Sequence, residues 1–171
     1  MTSATGGHDC VPLVTVVIPC YNQGRFLRDA VDSVLAQTCQ PLEIVVVNDG
    51  SSDDTVAVAE SYGDRLTLIT QPNAGAAVAR NTGIVAARAP TILFLDADDV
   101  LDPDCVERRL ALLDDDAVGL VAGGLRKADE LLVPYPDEAQ RVAAPNLARA
   151  GLYVRESWTP TCGLLVRKVV F

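Results

Sequence analysis

The chain has 171 residues, of which 49% are hydrophobic, and its formal net charge is −9 at pH 7. This length and hydrophobic content suffice for one domain with a buried core, which excludes a largely disordered chain. The acidic balance excludes a protein that binds nucleic-acid backbones, because such proteins need a basic face. Any diphosphate ligand would have to draw positive charge from a metal ion, an arginine or helix N-termini.

Cysteine usage and hydropathy point to a reducing, aqueous compartment. The five cysteines are widely spaced and form no C-x-x-C pair, so neither a disulfide framework nor a zinc site is expected. No run reaches the roughly 18 apolar residues of a membrane span, and residues 1–12 are expected to form a loose leader. We therefore expect a cytoplasmic protein without a transmembrane segment, which leaves room for peripheral contact with a membrane.

Short β-branched runs alternate with helical patterns from Leu13 onward. This alternation predicts an α/β fold with a mostly parallel sheet flanked by helices. An Ala-rich helix is expected at 76–87, a further helix is expected to start with Pro103 in its first position, and a polar loop is expected at 127–141. The predicted strands are 14–18, 42–47, 66–70, 91–95, 118–122 and 164–166.

Polar clusters follow the predicted strands, at the edge where ligands bind in parallel α/β sheets. P-C-Y-N at 19–22 follows the first strand, N-D-G-S at 48–51 the second, and D-A-D at 96–98 the fourth. Residues 73–80 span the start of the Ala-rich helix. These clusters can therefore converge on one cleft.

Asp96 and Asp98 are the candidate metal ligands. Two further D-x-D sequences occur at 102–104 and 114–116, where helix capping or solvation explains them. Asp96 and Asp98 instead follow a buried strand directly, where two carboxylates are costly unless a cation or hydrogen-bond donors meet them. Mg²⁺ or Mn²⁺ takes carboxylate and diphosphate oxygens and neutralises a leaving diphosphate. The alternative is an acidic loop that only caps the next helix.

Three other side chains suit a nucleotide. Asp49 accepts hydrogen bonds only, so it could receive an N–H from a base such as uracil, or it could merely form a turn. Arg80 is expected to face the diphosphate or a cleft aspartate, with a structural salt bridge as the alternative. Tyr21 could lie against the base or pack at the strand end. Because guanine also offers N–H donors to a carboxylate, these residues leave the base open.

Four ordered blocks of the sequence resemble the family 2 glycosyltransferases, which are inverting enzymes with the Rossmann-like GT-A fold. The likeness covers about residues 13–115, and it implies that they form the nucleotide-sugar-binding half, with residues 116–171 starting the acceptor-binding half. The blocks are V-T-V-V-I-P-C-Y-N at 14–22, E-I-V-V-V-N-D-G-S-S-D-D-T at 43–55, Q-P-N-A-G-A-A-V-A-R-N-T-G at 71–83 and I-L-F-L-D-A-D-D at 92–99.

The resemblance implies a role for each block. The base would lie against Pro19 and Tyr21 and bind Asp49, the diphosphate would meet Arg80, and the metal would bind Asp98. The donor would be a UDP-sugar, and the acceptor a carbohydrate, lipid-linked or protein hydroxyl in cell-wall or polysaccharide biosynthesis. The expected site comprises Pro19, Tyr21, Asn22, Asp49, Arg80, Ala97, Asp98, and Asp96 at the ribose or the metal.

The general base of an inverting transfer is expected beyond Phe171. Family members carry a Gly-rich turn after a segment like 160–171, and then an acidic pair whose carboxylate takes the proton from the acceptor hydroxyl. This sequence ends first, so we expect the donor-binding portion of a longer enzyme, with a fold incomplete at its C-terminus, and name no catalytic base. The alternative is a non-catalytic module that binds a sugar nucleotide or a partner protein. A dinucleotide-binding oxidoreductase is disfavoured, because G-x-G-x-x-G is missing after the first strand.

Overall fold

The computed structural model describes residues 11–113, 118–122, 125–128, 134–140 and 163–168. Its helices and strands alternate along the first part of the chain, as the sequence predicts. In chain order they are β1 (Val14–Cys20), α1 (Gly24–Leu35), β2 (Leu42–Asn48), α2 (Thr55–Glu60), β3 (Thr67–Thr70), α3 (Ala76–Ala86), β4 (Thr91–Phe94), α4 (Cys105–Leu112), β5 (Leu120–Ala122), β6 (Leu125–Ala128), β7 (Pro134–Gln140) and β8 (Leu164–Arg167).

A six-stranded sheet with the strand order β3-β2-β1-β4-β8-β5 organises the fold. Strand β1 pairs in parallel with β2 and β4, and β2 pairs in parallel with β3. Strand β8 is antiparallel to both β4 and β5. The prediction of a mostly parallel α/β sheet flanked by helices is therefore confirmed. None of the helices in the described ranges is long and apolar enough to cross a membrane.

The core forms because β1 and β2 are β-branched runs with few polar residues, which suits strands covered on both faces. Every residue of β1 is buried. On one face, α1 contributes Leu27, Val31 and Val34, each with no exposed surface. On the other face, α3 approaches β1 so closely that a Cβ built on Gly83 would lie 2.3 Å from Val17 Cγ1. This close packing sets the position of α3, which carries Arg80.

The structure corrects two predicted elements. Helix α4 begins at Cys105, not at Pro103, because the carbonyls of Asp102 and Pro103 accept hydrogen bonds from Gln37 Nε2 (2.8 Å) and Thr38 N (2.9 Å) at the end of α1. The loop predicted at 127–141 is wrong over β6 and β7, which pair as antiparallel strands. The first ten residues of the predicted leader and the D-x-D sequence at 114–116 lie outside the described residues.

Replacing Gly83 by alanine is expected to lower the free energy of unfolding by about 1–2 kcal/mol, because the added methyl overlaps Val17 in a strand that cannot shift. The gain in helix propensity from alanine offsets only part of this cost. Urea-induced unfolding measures the change. The matched control is Asn81→Ala, at an exposed position of the same helix, which should leave stability unchanged or slightly raised. A Gly83→Ala variant as stable as the wild type would contradict the described packing of α3.

Candidate active site

A cleft of about 310 Å³ lies at the edge where β1, β2 and β4 end. All the predicted site residues border it except Asn22 and Ala97. Cys20, Gln23, Ala76 and Ala79 also border it, although the sequence analysis did not select them. The sequence could have indicated these four residues, because they lie next to the selected ones at the same strand ends or helix start. The lining residues are Pro19, Cys20, Tyr21, Gln23, Asp49, Ala76, Ala79, Arg80, Asp96 and Asp98.

Asp49 occupies the wall of the cleft after β2, with 3% of its surface exposed. Its Oδ1 accepts hydrogen bonds from Gln71 Nε2 (2.7 Å) and Ala74 N (3.0 Å), and its Oδ2 accepts one from Gly75 N (2.8 Å). Burial alone would raise the pKa of Asp49, but these hydrogen bonds outweigh burial and hold the pKa below its ordinary value. Asp49 is therefore an ionised acceptor that also holds the loop leading into α3.

Arg80 and Asp96 form an ion pair across the cleft, with 2.6 Å between Arg80 Nη2 and Asp96 Oδ1. The two side chains are 19% and 33% exposed. Arg80 Nε is buried and has no hydrogen-bond partner in the described part of the chain. A buried guanidinium N–H without an acceptor is costly.

Asp98 is exposed at the mouth of the cleft, one residue beyond the buried Ala97. A turn closed by the hydrogen bond from Asp99 N to the Asp96 carbonyl (3.0 Å) holds this segment. Within the described ranges, no group of three or more His, Cys, Asp or Glu side chains could hold a metal ion by itself. A magnesium-like ion does not need such a group, since one or two carboxylates suffice when phosphate oxygens and waters complete its shell.

Asn22 lies beside the cleft and locks two loops together. Its backbone has a φ of 53°, a conformation that asparagine tolerates better than most residues. Its backbone N–H donates to Ser51 Oγ (3.0 Å), and its side-chain Oδ1 accepts from Ser52 N (2.8 Å). These contacts join the loop after β1 to the loop after β2 and so hold both walls of the cleft.

Asp53 connects the same two loops through hydrogen bonds to its carboxylate. Its Oδ2 accepts from the backbone N–H of Gly24, the first residue of α1, at 2.9 Å, and its Oδ1 accepts from Thr55 N, at the start of α2, at 3.1 Å. Burial alone would raise the pKa of Asp53, but the hydrogen bonds from Thr55 and Gly24 outweigh it and lower the pKa. One carboxylate thus satisfies an N–H at the start of two helices.

Replacing Asp53 by alanine is expected to lower the free energy of unfolding by about 1–2 kcal/mol, because both helix starts lose an acceptor. Since the folded-state pKa is depressed, this contribution is fully present above the ordinary pKa of 3.8 and is lost as the pH falls through the folded-state value. Urea unfolding over a pH series measures it. Asp54→Ala, which removes a side chain that caps no N–H, is the control and should change stability little. Equal losses in the two variants would contradict the role of Asp53.

Comparison with known proteins places this chain in a family. Residues 15–169 match the family model described as Glycosyl transferase family 2. An uncharacterised glycosyltransferase of Rickettsia prowazekii is 35% identical over 166 residues, which cover 94% of this chain and 52% of that protein. The chain thus spans about half the length of this relative.

Two solved structures share the fold. The mannosyltransferase PcManGT from Pyrobaculum calidifontis, in complex with GDP-Man and Mn²⁺, is 30% identical with a TM-score of 0.62, covering 70% of this chain and 37% of its own. S. aureus TarS 1-349, in complex with UDP-GlcNAc, is 26% identical with a TM-score of 0.58, covering 64% and 33%. On the strength of the family match over most of its length, the chain belongs to glycosyl transferase family 2.

Proposed function

We propose that the chain binds a nucleoside diphosphate sugar in this cleft, as the donor-binding part of an enzyme that transfers the sugar to an acceptor hydroxyl with inversion. One observation carries the proposal. A buried ionised acceptor (Asp49), a partly buried cation (Arg80) and an exposed carboxylate (Asp98) border the same cleft. Asp49 matches the base, Arg80 matches the diphosphate, and Asp98 matches a bridging metal ion.

The diphosphate end depends on locally supplied positive charge. Arg80 is the one basic residue that borders the cleft in the described ranges, in a chain with a net charge of −9. Its side chain is 19% exposed, and a guanidinium gives diphosphate oxygens charge-assisted hydrogen bonds. Asp98, with Asp96 beside it, would hold Mg²⁺ or Mn²⁺. When bound, such an ion stabilises negative charge on the leaving diphosphate. The mannosyltransferase PcManGT was solved with Mn²⁺.

The base end consists of Asp49, Tyr21 and Pro19. TarS was solved with UDP-GlcNAc and PcManGT with GDP-Man, so nucleoside diphosphate sugars are the ligands common to both relatives. We propose a UDP-sugar for this chain. The exposed ring of Tyr21, with 51% of the residue accessible, can cover a planar base.

We further propose that residues 13–115 form the donor half and that residues 116–171 begin the acceptor half. Gly163 N donates to the Phe94 carbonyl at 2.7 Å, so β8, which belongs to the second segment, begins at the edge of the same sheet that carries Asp96, where an acceptor would meet the donor. We assign the general base to no described residue. The acceptor class, a cytoplasmic location and a role in cell-wall or polysaccharide biosynthesis stay predictions.

Thermal unfolding of the 171-residue chain with UDP and UDP-sugars, with and without Mn²⁺, tests the proposal. A ligand that binds only the folded state raises the melting temperature. We expect a rise of a few degrees with UDP that depends on Mn²⁺ and is lost in Asp98→Asn, because the asparagine amide removes the charge that holds the ion.

The matched control is Asp104→Asn, which changes the other described D-x-D sequence, where Asp104 pairs with Arg108. This variant should keep the full Mn²⁺-dependent rise. No rise with any nucleoside diphosphate would overturn the donor-binding proposal and favour the interaction module. Equal losses in the two variants would remove the metal role of Asp98.

A further inference from the structure

Two side chains that do not line the cleft determine which acceptor positions of Asp49 are occupied. Thr82 Oγ1 in α3 donates to Gln71 Oε1 at 2.6 Å, and Gln71 Nε2, just after β3, donates to Asp49 Oδ1 at 2.7 Å. The Thr82 hydroxyl could act as donor or acceptor, but Asp49 is ionised and accepts only. The amide nitrogen of Gln71 must therefore face Asp49, and Thr82 holds the amide in that orientation.

The number of hydrogen bonds that Asp49 accepts can be compared with the number that its carboxylate is able to accept. Each carboxylate oxygen offers about two lone-pair directions. Oδ1 accepts from Gln71 and Ala74 and so uses both of its directions, whereas Oδ2 accepts from Gly75 alone. Among the residues that the structure describes, Asp49 therefore keeps one acceptor position, on Oδ2.

We propose that Gln71, held by Thr82, is a specificity-determining residue that restricts the cleft to a base with a single N–H at this point, the imide of uracil or thymine. Guanine presents two adjacent N–H groups, on N1 and N2, and needs two acceptors side by side. With Oδ1 already occupied, one of these donors would be left unsatisfied on binding. A buried donor without a partner disfavours a ligand by about tenfold or more.

This inference rests on the proposed function, since it presumes that a nucleotide binds with its base at Asp49. The same hydrogen bonds also hold residues 71–75 in place, which is a purely structural role. The two roles differ in what they predict. Loss of a purely structural bond would weaken the binding of every nucleotide alike. Loss of the restriction at Oδ1 would instead change the ratio of the dissociation constants of nucleotides with different bases.

The first measurement is the dissociation constant of UDP, dTDP and GDP for the 171-residue chain with Mn²⁺, by calorimetry. We expect at least one imide nucleotide to bind about tenfold or more tightly than GDP. UDP binding above dTDP assigns the site to uracil, and the reverse order assigns it to thymine; either order supports selection of an imide. GDP binding as tightly as both would overturn the inference while leaving nucleotide binding intact. Failure of all three to bind would overturn the proposed function, and the inference with it.

The second measurement uses Gln71→Leu, which removes the donor to Oδ1 at similar volume. The GDP-to-UDP ratio of dissociation constants should fall to within about threefold of unity, because Oδ1 then has an acceptor position left for the second N–H of guanine. Thr82→Val, a nearly isosteric change further from the cleft, should move the ratio part of the way in the same direction. It keeps the test valid if Gln71→Leu does not fold.

The matched control is Thr67→Val, the same substitution at an exposed position of β3. It should leave both affinities and their ratio unchanged. If Gln71→Leu and Thr82→Val weaken UDP and GDP equally and preserve the ratio, the pair has only a structural role and the inference is wrong.

Discussion

The pairing of β1 between β2 and β4 is the constraint on which the rest of this structure depends. Cys20 lies opposite Asn48 in the parallel register with β2, and Leu95 N donates to the Val17 carbonyl at 3.1 Å on the other side. Because parallel strands end at a common edge, this register places Tyr21, Asp49 and Asp96 around one opening. These residues are far apart in the chain, and the register of the strands brings them together.

The negative charge of each carboxylate at that edge has different surroundings. This difference separates the proposed base end of the cleft from the proposed diphosphate end. Asp49 is met by neutral N–H donors, which leave it charged and directional, as recognition of a base requires. Asp96 is met by the guanidinium of Arg80, so the pair fixes the cleft arginine at the end proposed for the diphosphate. Asp98 stays exposed to solvent. Under the proposed function, the positive charge for an anionic donor would come from Arg80, the one basic residue that borders the cleft in the described ranges, and from a metal ion at Asp98.

The sequence predicted the sheet class and most of the cleft wall, because β-branched runs and the polar residues that follow them are local signals. It did not predict the parts that depend on contacts between distant segments. Pro103 is a normal helix-start signal, yet bonds from Gln37 and Thr38 hold that segment in a turn. Asn22 was expected at the site because it stands in the P-C-Y-N cluster after β1, but in the structure it bonds to the loop after β2. Gln71 and Thr82 lie in the third block of the family resemblance, but nothing local marked them as partners of Asp49, since glutamine and threonine are ordinary at a strand end and in a helix.

By itself, then, the sequence determined which residue types follow each strand, and hence that carboxylates and an arginine would gather at one edge. The tertiary structure alone decided which of these side chains would form hydrogen bonds or ion pairs with other groups of the protein. Local periodicity reports whether a residue is buried in a strand or helix. It carries no information on whether a carboxylate meets an amide 22 residues away, as Asp49 meets Gln71. That depends on the parallel pairing of β2 with β3, in which Asn48 lies opposite Thr70 and Gln71 N donates to the Asn48 carbonyl at 3.0 Å.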